Sequence, residues 1–423
     1  MNLKITKVFM GLKSLIVCTA AFAATSASAE YRYVGGDISL LPEYEQAGAQ
    51  YKDHDGKPIA ELLPWLHEQG MNAMRVRLFV NPEDYSGADK DANACQDLEY
   101  IVPLCKSIKE NGFSLLLDFH YSDTWADPAK QWTPKAWENL TDEELYAKIY
   151  SYTKECLQTL NDAGATPDFI QPGNEISYGM LWGPVGTSSP KKTFMGSDAN
   201  WQRLGKLLSQ AIKACREECP EAKIVIHTER VAQTDVQANF YNRMKELGVD
   251  YDIIGLSYYP YFHGNMAVLK KALDSLTTRF PEKNIMMVET GYSYKWEVPG
   301  TDQKVDYPYS DAGQDQFAKE LVSLLLSYDK VDGLFWWWME YNAFGTSLSG
   351  WYNAPLFDST TGRATSALTT ICAFAKGNDS SAGLLPDGEG QNAARWYDIN
   401  GRPVNNPKGP GIYVNGKRKV IIK

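Results

Sequence analysis

Residues 142–175, DEELYAKIYSYTKECLQTLNDAGATPDFIQPGNE, hold the unit on which the reading of the whole chain turns. Apolar residues at three- and four-residue spacing predict a helix over Asp142–Gly164, ending at the glycine. A short apolar run, Asp168–Gln171, then reads as a strand, and immediately past it stand Asn174 and Glu175. The same rhythm recurs along the chain. Strand-like runs lie at Tyr31–Ile38, Asn72–Phe79, Phe113–Phe119, Asp168–Gln171, Lys223–His227, Asp252–Ser257, Asn284–Val288 and Asp332–Trp338. Between them fall amphipathic segments at Ile59–Gln69, Leu98–Asn111, Asp142–Gly164, Trp201–Glu218, Val236–Leu247, Met266–Arg279 and Asp311–Tyr328. Strands alternating with helices in this number predict a parallel (β/α)8 TIM barrel. A doubly wound open sheet is the competing architecture, but Gly35-Gly36-Asp37 does not make the glycine-rich phosphate loop expected after its first strand.

A barrel gathers its chemistry at the C-terminal ends of its strands. Glu175 lies at the end of strand four, and Glu289, in Met286-Met287-Val288-Glu289-Thr290-Gly291, at the end of strand seven. Two carboxyls on separate strand ends can converge on one bond, as glycoside hydrolysis by the two-carboxylate route requires. Either glutamate alone reads equally well as a solvated loop residue; their shared face argues for an acid/base, Glu175, and a nucleophile, Glu289. Other polar and aromatic residues crowd the same ends: Asp37, the pair Arg75 and Arg77, the run Asp118–Asp123 with His120, His227, Tyr258-Tyr259 and Trp336-Trp337-Trp338. Arg75 and Arg77 are two apart and share a face. A buried arginine beside a glutamate is a structural ion pair and, at the same time, a device that keeps a nucleophile ionised.

The chain has 12 Trp and 25 Tyr, many of them in segments that follow strands: Tyr121, Trp125, Trp132, Tyr178, Trp182, Tyr259, Tyr261, Tyr292, Tyr294, Trp296 and Trp351. Flat rings suit stacking against sugars; the competing role is packing between helix and strand, and the expectation divides them evenly. A formal net charge of −10 argues against a nucleic-acid partner. Lys4 and Lys7, the apolar stretch Val8–Ala24 and the terminus Ala27-Ser28-Ala29 read as a signal peptide over residues 1–29, so the expectation is an exported protein, periplasmic, cell-surface or extracellular. No later segment approaches the ~20 apolar residues of a membrane span. The six cysteines beyond the leader, Cys95, Cys105, Cys156, Cys215, Cys219 and Cys372, lack a compact disulfide spacing or a histidine-rich companion that would suggest zinc; structural thiols, or one or two bridges, are expected.

Six segments in register carry a resemblance: GGDISLLPEYEQAGAQYKDHDGK, NAMRVRLFVNP, LLLDFHYSDTWADPAKQWTPKAW, FIQPGNEISYGMLWGP, IIGLSYYPYFHG and MMVETGYSY. Together they resemble glycoside hydrolase family 53, the arabinogalactan endo-β-1,4-galactanases, from about Tyr31 to Ile371. The resemblance implies a retaining (β/α)8 hydrolase with Glu175 as acid/base and Glu289 as nucleophile. It also implies that Arg77 and Asn174 hydrogen-bond the nucleophile and the sugar 2-hydroxyl, with Arg75 as the other candidate for the arginine. By the same resemblance Asp37, Asp118 and His120 line the subsite of the cleaved sugar, and His227, Tyr258 or Tyr259, and one strand-eight tryptophan, Trp337, complete its wall. Asp123 and Trp125 belong to the run that favours galactan over mannan or xylan, the rival substrates; a non-catalytic glycan-binding protein is the rival from another class. Bacterial relatives resemble one another in a calcium loop after strand seven, but here residues 294–304 lack its ligand pattern, so no metal and no cofactor is expected; Asp302, Asp306 and Asp311 stand as alternative calcium ligands, against the reading of scattered surface carboxylates. A galactan substrate and a monomer complete the expected picture. The barrel is assigned to residues 30–376 and a linker to 377–390. A β-hairpin segment follows at 391–423, with turn signals at Asn400-Gly401 and Asn415-Gly416.

Overall fold

The computed structural model describes residues 31–187, 190–193, 198–295, 297–298, 305–341 and 354–376, with the backbone of four short strands nearer the C-terminus. Its centre is a closed parallel barrel of β1 (Tyr33–Asp37), β2 (Ala73–Leu78), β3 (Ser114–Phe119), β4 (Phe169–Pro172), β5 (Lys223–Thr228), β6 (Ile253–Tyr258), β7 (Asn284–Thr290) and β8 (Val331–Trp336). Each expected strand is present, and β8 pairs with β1 to close the ring. The expected helices are also present, with two short ones, Leu41–Gln46 and Pro260–His263, and a longer one, Ser366–Lys376, that packs on helix Asp311–Leu326 and on β1.

The helix that precedes β4 shows how local sequence sets these elements. Thr141 accepts from the Glu144 N–H, and Glu144 returns a bond to the Thr141 N–H, so a capping box starts the helix Asp142–Asp162. Leu145, Ile149, Leu157 and Leu160 then bury one stripe, each side chain contributing roughly 1.5–3 kcal/mol by leaving water. Gly164, at φ 77°, turns the chain out of the helix in a conformation that L side chains rarely adopt.

Because side chains alternate along a strand, the barrel has two packing layers. Outward residues such as Val34, Val76, Leu117, Ile170, Ile224, Ile254 and Leu334 meet the helices. Inward residues Ala73, Leu116, Phe169, Val225, Ile253, Met286, Val288 and Phe335 form an apolar plug inside the barrel. Gly35 permits the close pairing of β1 with β2, since a Cβ there would sit 1.7 Å from the Ala73 carbonyl oxygen. Above the plug the inward positions turn polar: Asp37, Arg75, Arg77, Asp118, Gln171, His227 and Ser257 are all fully buried.

The C-terminal strands β9 (Trp396–Asp398), β10 (Pro403–Val404), β11 (Gly411–Asn415) and β12 (Arg418–Ile422) form an antiparallel sheet in the order β10-β9-β11-β12, in which β9 pairs with β10 and β11 with β12, one pair for each of the two expected turn signals. The expected signal peptide over residues 1–29 and the expected linker 377–390, with Asn400, Gly401 and Gly416, lie outside the described residues. All six described cysteines are free thiols, five of them buried. Among the described residues no helix is long and apolar enough to cross a membrane.

Candidate active site

The polar layer opens into a cleft of about 810 Å³ at the C-terminal ends of the strands, lined among others by Glu175, Glu289, Asn174, Trp125, Tyr259, Trp337 and Trp338. Glu289 reaches it through a register shift. β6 and β7 pair as Leu256 with Met287 and then Ser257 with Glu289, skipping Val288. Val288 belongs to the apolar plug, and the bulge lets its neighbour face the barrel mouth as well, against simple alternation. Glu175 gets there by a different route, in a left-handed turn with φ 47° and ψ 51°. Such a conformation costs a non-glycine residue about 1–3 kcal/mol and clusters at functional sites. Gly173, at φ 111°, makes the turn feasible.

Arg75 organises the nucleophile side. Its Nη2 lies 2.9 Å from Glu289 Oε1 and 2.7 Å from Asp118 Oδ2, and its Nη1 lies 3.3 Å from Asp37 Oδ2. It also donates to Asn174 Oδ1 at 2.9 Å. Burial alone would lower the guanidinium pKa, but Asp118, Glu289 and Asp37 outweigh it and the pKa is raised. Burial likewise works to raise the Asp118 pKa, yet Arg75, His120 and His227 bring it below the ordinary value. The arginine beside Glu289 is therefore Arg75 and not Arg77. Arg75 stands in register with Asp37 and shares a face with Arg77. Arg77, one pleat further on, is turned aside: it pairs with Asp37 Oδ1 at 2.6 Å and lies 4.7–5.2 Å from the rings of Trp125, Trp337 and Trp338.

Glu289 also accepts a hydrogen bond, 3.1 Å, from the Tyr259 hydroxyl on its other oxygen, Oε2. Burial pushes its carboxyl up to about 7, while Arg75 and Tyr259 pull the other way. Glu175 is pushed up well above the carboxylate range, first by burial and then by the charges of Glu289 and Glu229, with the Ser257 hydroxyl opposing. Ser257 Oγ donates to Glu175 Oε1 at 2.6 Å, and His227 Nε2 lies 2.8 Å from that same Oγ. The Nδ1 of His227 stands 3.0 Å from Asn174 Oδ1 and takes the Glu175 N–H at 3.3 Å. Burial, followed by Arg75, depresses the His227 pKa well below its usual value, so the ring is neutral. The two carboxyls titrate as a unit, and the first proton leaves the one beside the guanidinium.

Of the remaining expected residues, Asn174, Trp125, Tyr259 and Trp337 line the cleft. Asp37, Asp118, His120 and His227 lie beneath its floor, at most 2% exposed, where they brace Arg75, Asn174 and Glu175 instead of forming a wall. His120 Nε2 is 3.1 Å from Asp118 Oδ2, and its Nδ1 accepts from Ala126 N at 3.0 Å. Tyr258 and Asp123 are corrected. Tyr258 points outward from β6, donating to Gly264 O at 2.9 Å, because alternation sends it opposite to Ser257 and Tyr259. Asp123 folds its own loop, accepting the Asn81 N–H at 3.0 Å and the Lys135 N–H at 2.7 Å. The tryptophan run divides likewise: Trp336 bonds Ala354 O at 2.6 Å in the outer layer, and Trp338, left-handed at φ 51°, joins Trp337 in the cleft.

Most of the loop aromatics are packing residues: Tyr121, Trp182, Tyr261, Tyr292 and Tyr294 are at most 5% exposed and are not cleft residues, and Trp296 and Trp351 lie outside the described residues. Ser257, Gln171, Asp127, Glu229, Phe262 and His263 were not singled out from sequence. Glu229 carries the signal used for Glu175, a carboxylate just past a strand, here β5. Among the described residues no group of three or more His, Cys, Asp or Glu side chains gathers to hold a metal ion, while residues 296 and 299–304 of the candidate calcium loop lie outside them.

Comparison with known proteins agrees with this geometry. The profile of Glycosyl hydrolase family 53 matches residues 33–371. The chain is 31% identical over 332 residues to an arabinogalactan endo-beta-1,4-galactanase of Humicola insolens, covering 75% of this chain and 92% of that protein. It superposes on the GH53 catalytic domain of Ignisphaera aggregans with a TM-score of 0.71 at 33% identity, over 82% of this chain and 97% of that one. A fungal beta-1,4-galactanase structure gives a TM-score of 0.68 at 29% identity, over 81% and 99%. With a matched profile spanning the whole barrel and the paired glutamates at the ends of β4 and β7, the chain belongs to glycosyl hydrolase family 53.

Proposed function

We propose that the protein cleaves internal β-1,4-galactosidic linkages of galactan or arabinogalactan by double displacement, with retention of anomeric configuration. The observation that carries this reading is the unequal setting of the two carboxyls. Arg75 lies 2.9 Å from Glu289 and favours its ionised form, whereas Glu175 faces the hydroxyl of Ser257 and the charge of Glu289. Glu289 then attacks the anomeric carbon while Glu175 protonates the departing oxygen. In the second half Glu175, now ionised, takes a proton from the water that attacks the glycosyl-enzyme. Arg75 and the Tyr259 hydroxyl stabilise the Glu289 carboxylate as it attacks and again as it leaves. Asn174, held by Arg75 on its oxygen and by Ala126 O at 2.8 Å on its nitrogen, presents a fixed amide to the sugar beside the acid. Trp337 and Trp338 supply flat apolar faces for the ring being cleaved.

The test is reducing-sugar release from galactan beside mannan and xylan, with the first-formed anomer followed by proton NMR. Release from galactan with the β-anomer appearing first is expected; preferential cleavage of mannan or xylan, or a first-formed α-anomer, would overturn the reading. We propose further that the protein is exported as a monomer acting on pectin side chains. Residues 1–29 support export, and a mature chain beginning at Glu30 in mass spectrometry of the secreted material would test it.

A further inference from the structure

A third carboxyl, Glu229, lines the cleft beyond Glu175 and has no part in the double displacement. It follows β5 directly and is only 8% exposed. Its Oε1 takes the Ser177 hydroxyl and the Arg230 Nε at 3.0 Å. Its Oε2 is buried with no hydrogen-bond partner among the described residues. A buried acceptor without a donor is unfavourable, and because Glu229 lines the cleft, a ligand's hydroxyl can supply that donor.

Its surroundings say which part of the ligand. His263 bolts the β5 and β6 ends together: its Nδ1 accepts the Tyr259 N–H at 2.9 Å and its ring bonds the backbone of Glu229. Next to it in the short helix Pro260–His263, Phe262 is 44% exposed at the cleft wall, one of three large apolar side chains left so open among the described residues. An exposed ring beside a carboxyl is the pairing a sugar needs, a flat face for its C–H surface and an acceptor for its hydroxyls. This wall adjoins the acid through Glu229, whose charge bears on Glu175, while Arg75, which holds Glu289, lies 5.5 Å from the Trp337 ring. The glycosidic oxygen leaves on the side of its proton donor, so the sugar beyond it lies toward Glu229 and Phe262.

We propose that Glu229 and Phe262 form the subsite for the departing sugar, Glu229 accepting its hydroxyls and Phe262 stacking on its face, so that this wall determines the preference for a sugar leaving group. The proposal rests on the glycosidase reading above. Burial pushes the Glu229 carboxyl up to about 7, so near neutrality it offers both an acceptor and a shared proton.

The experiment compares kcat/KM for galactotetraose with that for nitrophenyl β-galactobioside, whose leaving group carries no sugar hydroxyls, in wild type, Glu229→Gln, Glu229→Ala and Phe262→Ala. The ratio is expected to fall about tenfold or more in Glu229→Ala and Phe262→Ala and less in Glu229→Gln. Equal losses on both substrates, or no loss on either, would overturn the subsite. Phe262→Ala alters an exposed side chain and keeps the test open if Glu229→Ala fails to fold. Failure of the underlying reading looks different: wild type itself would release nothing from galactotetraose.

Discussion

The two halves of the cleft hold the same residue type by opposite electrostatic means. On the side of β1, β2, β3 and β7, Glu289 shares a guanidinium with Asp37 and Asp118, a compact lattice of full charges within 3.3 Å of Arg75. On the side of β4, β5 and β6, Glu175 meets a hydroxyl backed by a neutral imidazole, with further carboxyls as neighbours. Burial raises both carboxyls, but Arg75 opposes the rise at Glu289 whereas the neighbouring charges add to it at Glu175, and that difference divides the proposed roles.

Removing either carboxyl tests the division most strongly. Glu289→Ala should lower kcat on the order of 10⁴-fold or more, since a covalent nucleophile is lost. Azide should then restore turnover as the α-galactosyl azide, formed by a single inverting displacement. Glu175→Ala should lower turnover of galactan by about 10²–10⁴, and azide should yield the β-azide through the intact glycosyl-enzyme. Reversal of the two azide products would exchange the assignments.

Next in size is Arg75→Lys. A lysine cannot reproduce a fork that serves three carboxyls, and disrupting so buried a lattice should lower stability by about 3–5 kcal/mol, read by denaturant unfolding. The pH profile carries the sharper sign. Activity needs Glu289 ionised and Glu175 protonated, so kcat/KM rises as the pH passes the Glu289 pKa, raised by burial to about 7, and falls as it passes that of Glu175, which is raised further. Weakening the arginine removes the influence that lowers Glu289, so the acid limb should move to higher pH while the alkaline limb stays. An unmoved acid limb would break the link between Arg75 and the nucleophile.

Ser257→Ala should give the smallest effect, a loss of less than about tenfold for one neutral hydrogen bond. Because the hydroxyl favours the ionised form of Glu175, its removal should push the alkaline limb upward and leave the acid limb in place. A shift confined to the acid limb would show that Ser257 serves Glu289 instead.

The strand ends differ in how legible they were. Glu175, Glu289 and Asn174 could be found because strand-like runs stop beside them, and a barrel puts every such stop on one face. Arg75 and Arg77 could not be separated: both face inward on β2, and the choice depends on where Asp37, Asp118 and the tryptophans stand on other strands. Tyr258 and Tyr259 show the converse failure. Alternation decides between them at once, but only when the strand's phase is known, and Ser257 as an inward residue gives that phase. Asp123 looked like a ligand and is a loop fastener, because two backbone N–H groups use its oxygens.

The sequence by itself determined the period of the chain, the closure into a barrel and the positions of the two glutamates, since each follows from local patterns of apolar and polar residues. Only the tertiary structure decided what surrounds each glutamate. The skipped Val288 on β7 turns Glu289 inward, Arg75 from β2 reaches it, and Glu229 from β5 crowds Glu175. These are contacts between strands far apart in the chain, and a carboxyl's pKa answers to what surrounds it in space, not to its neighbours in sequence.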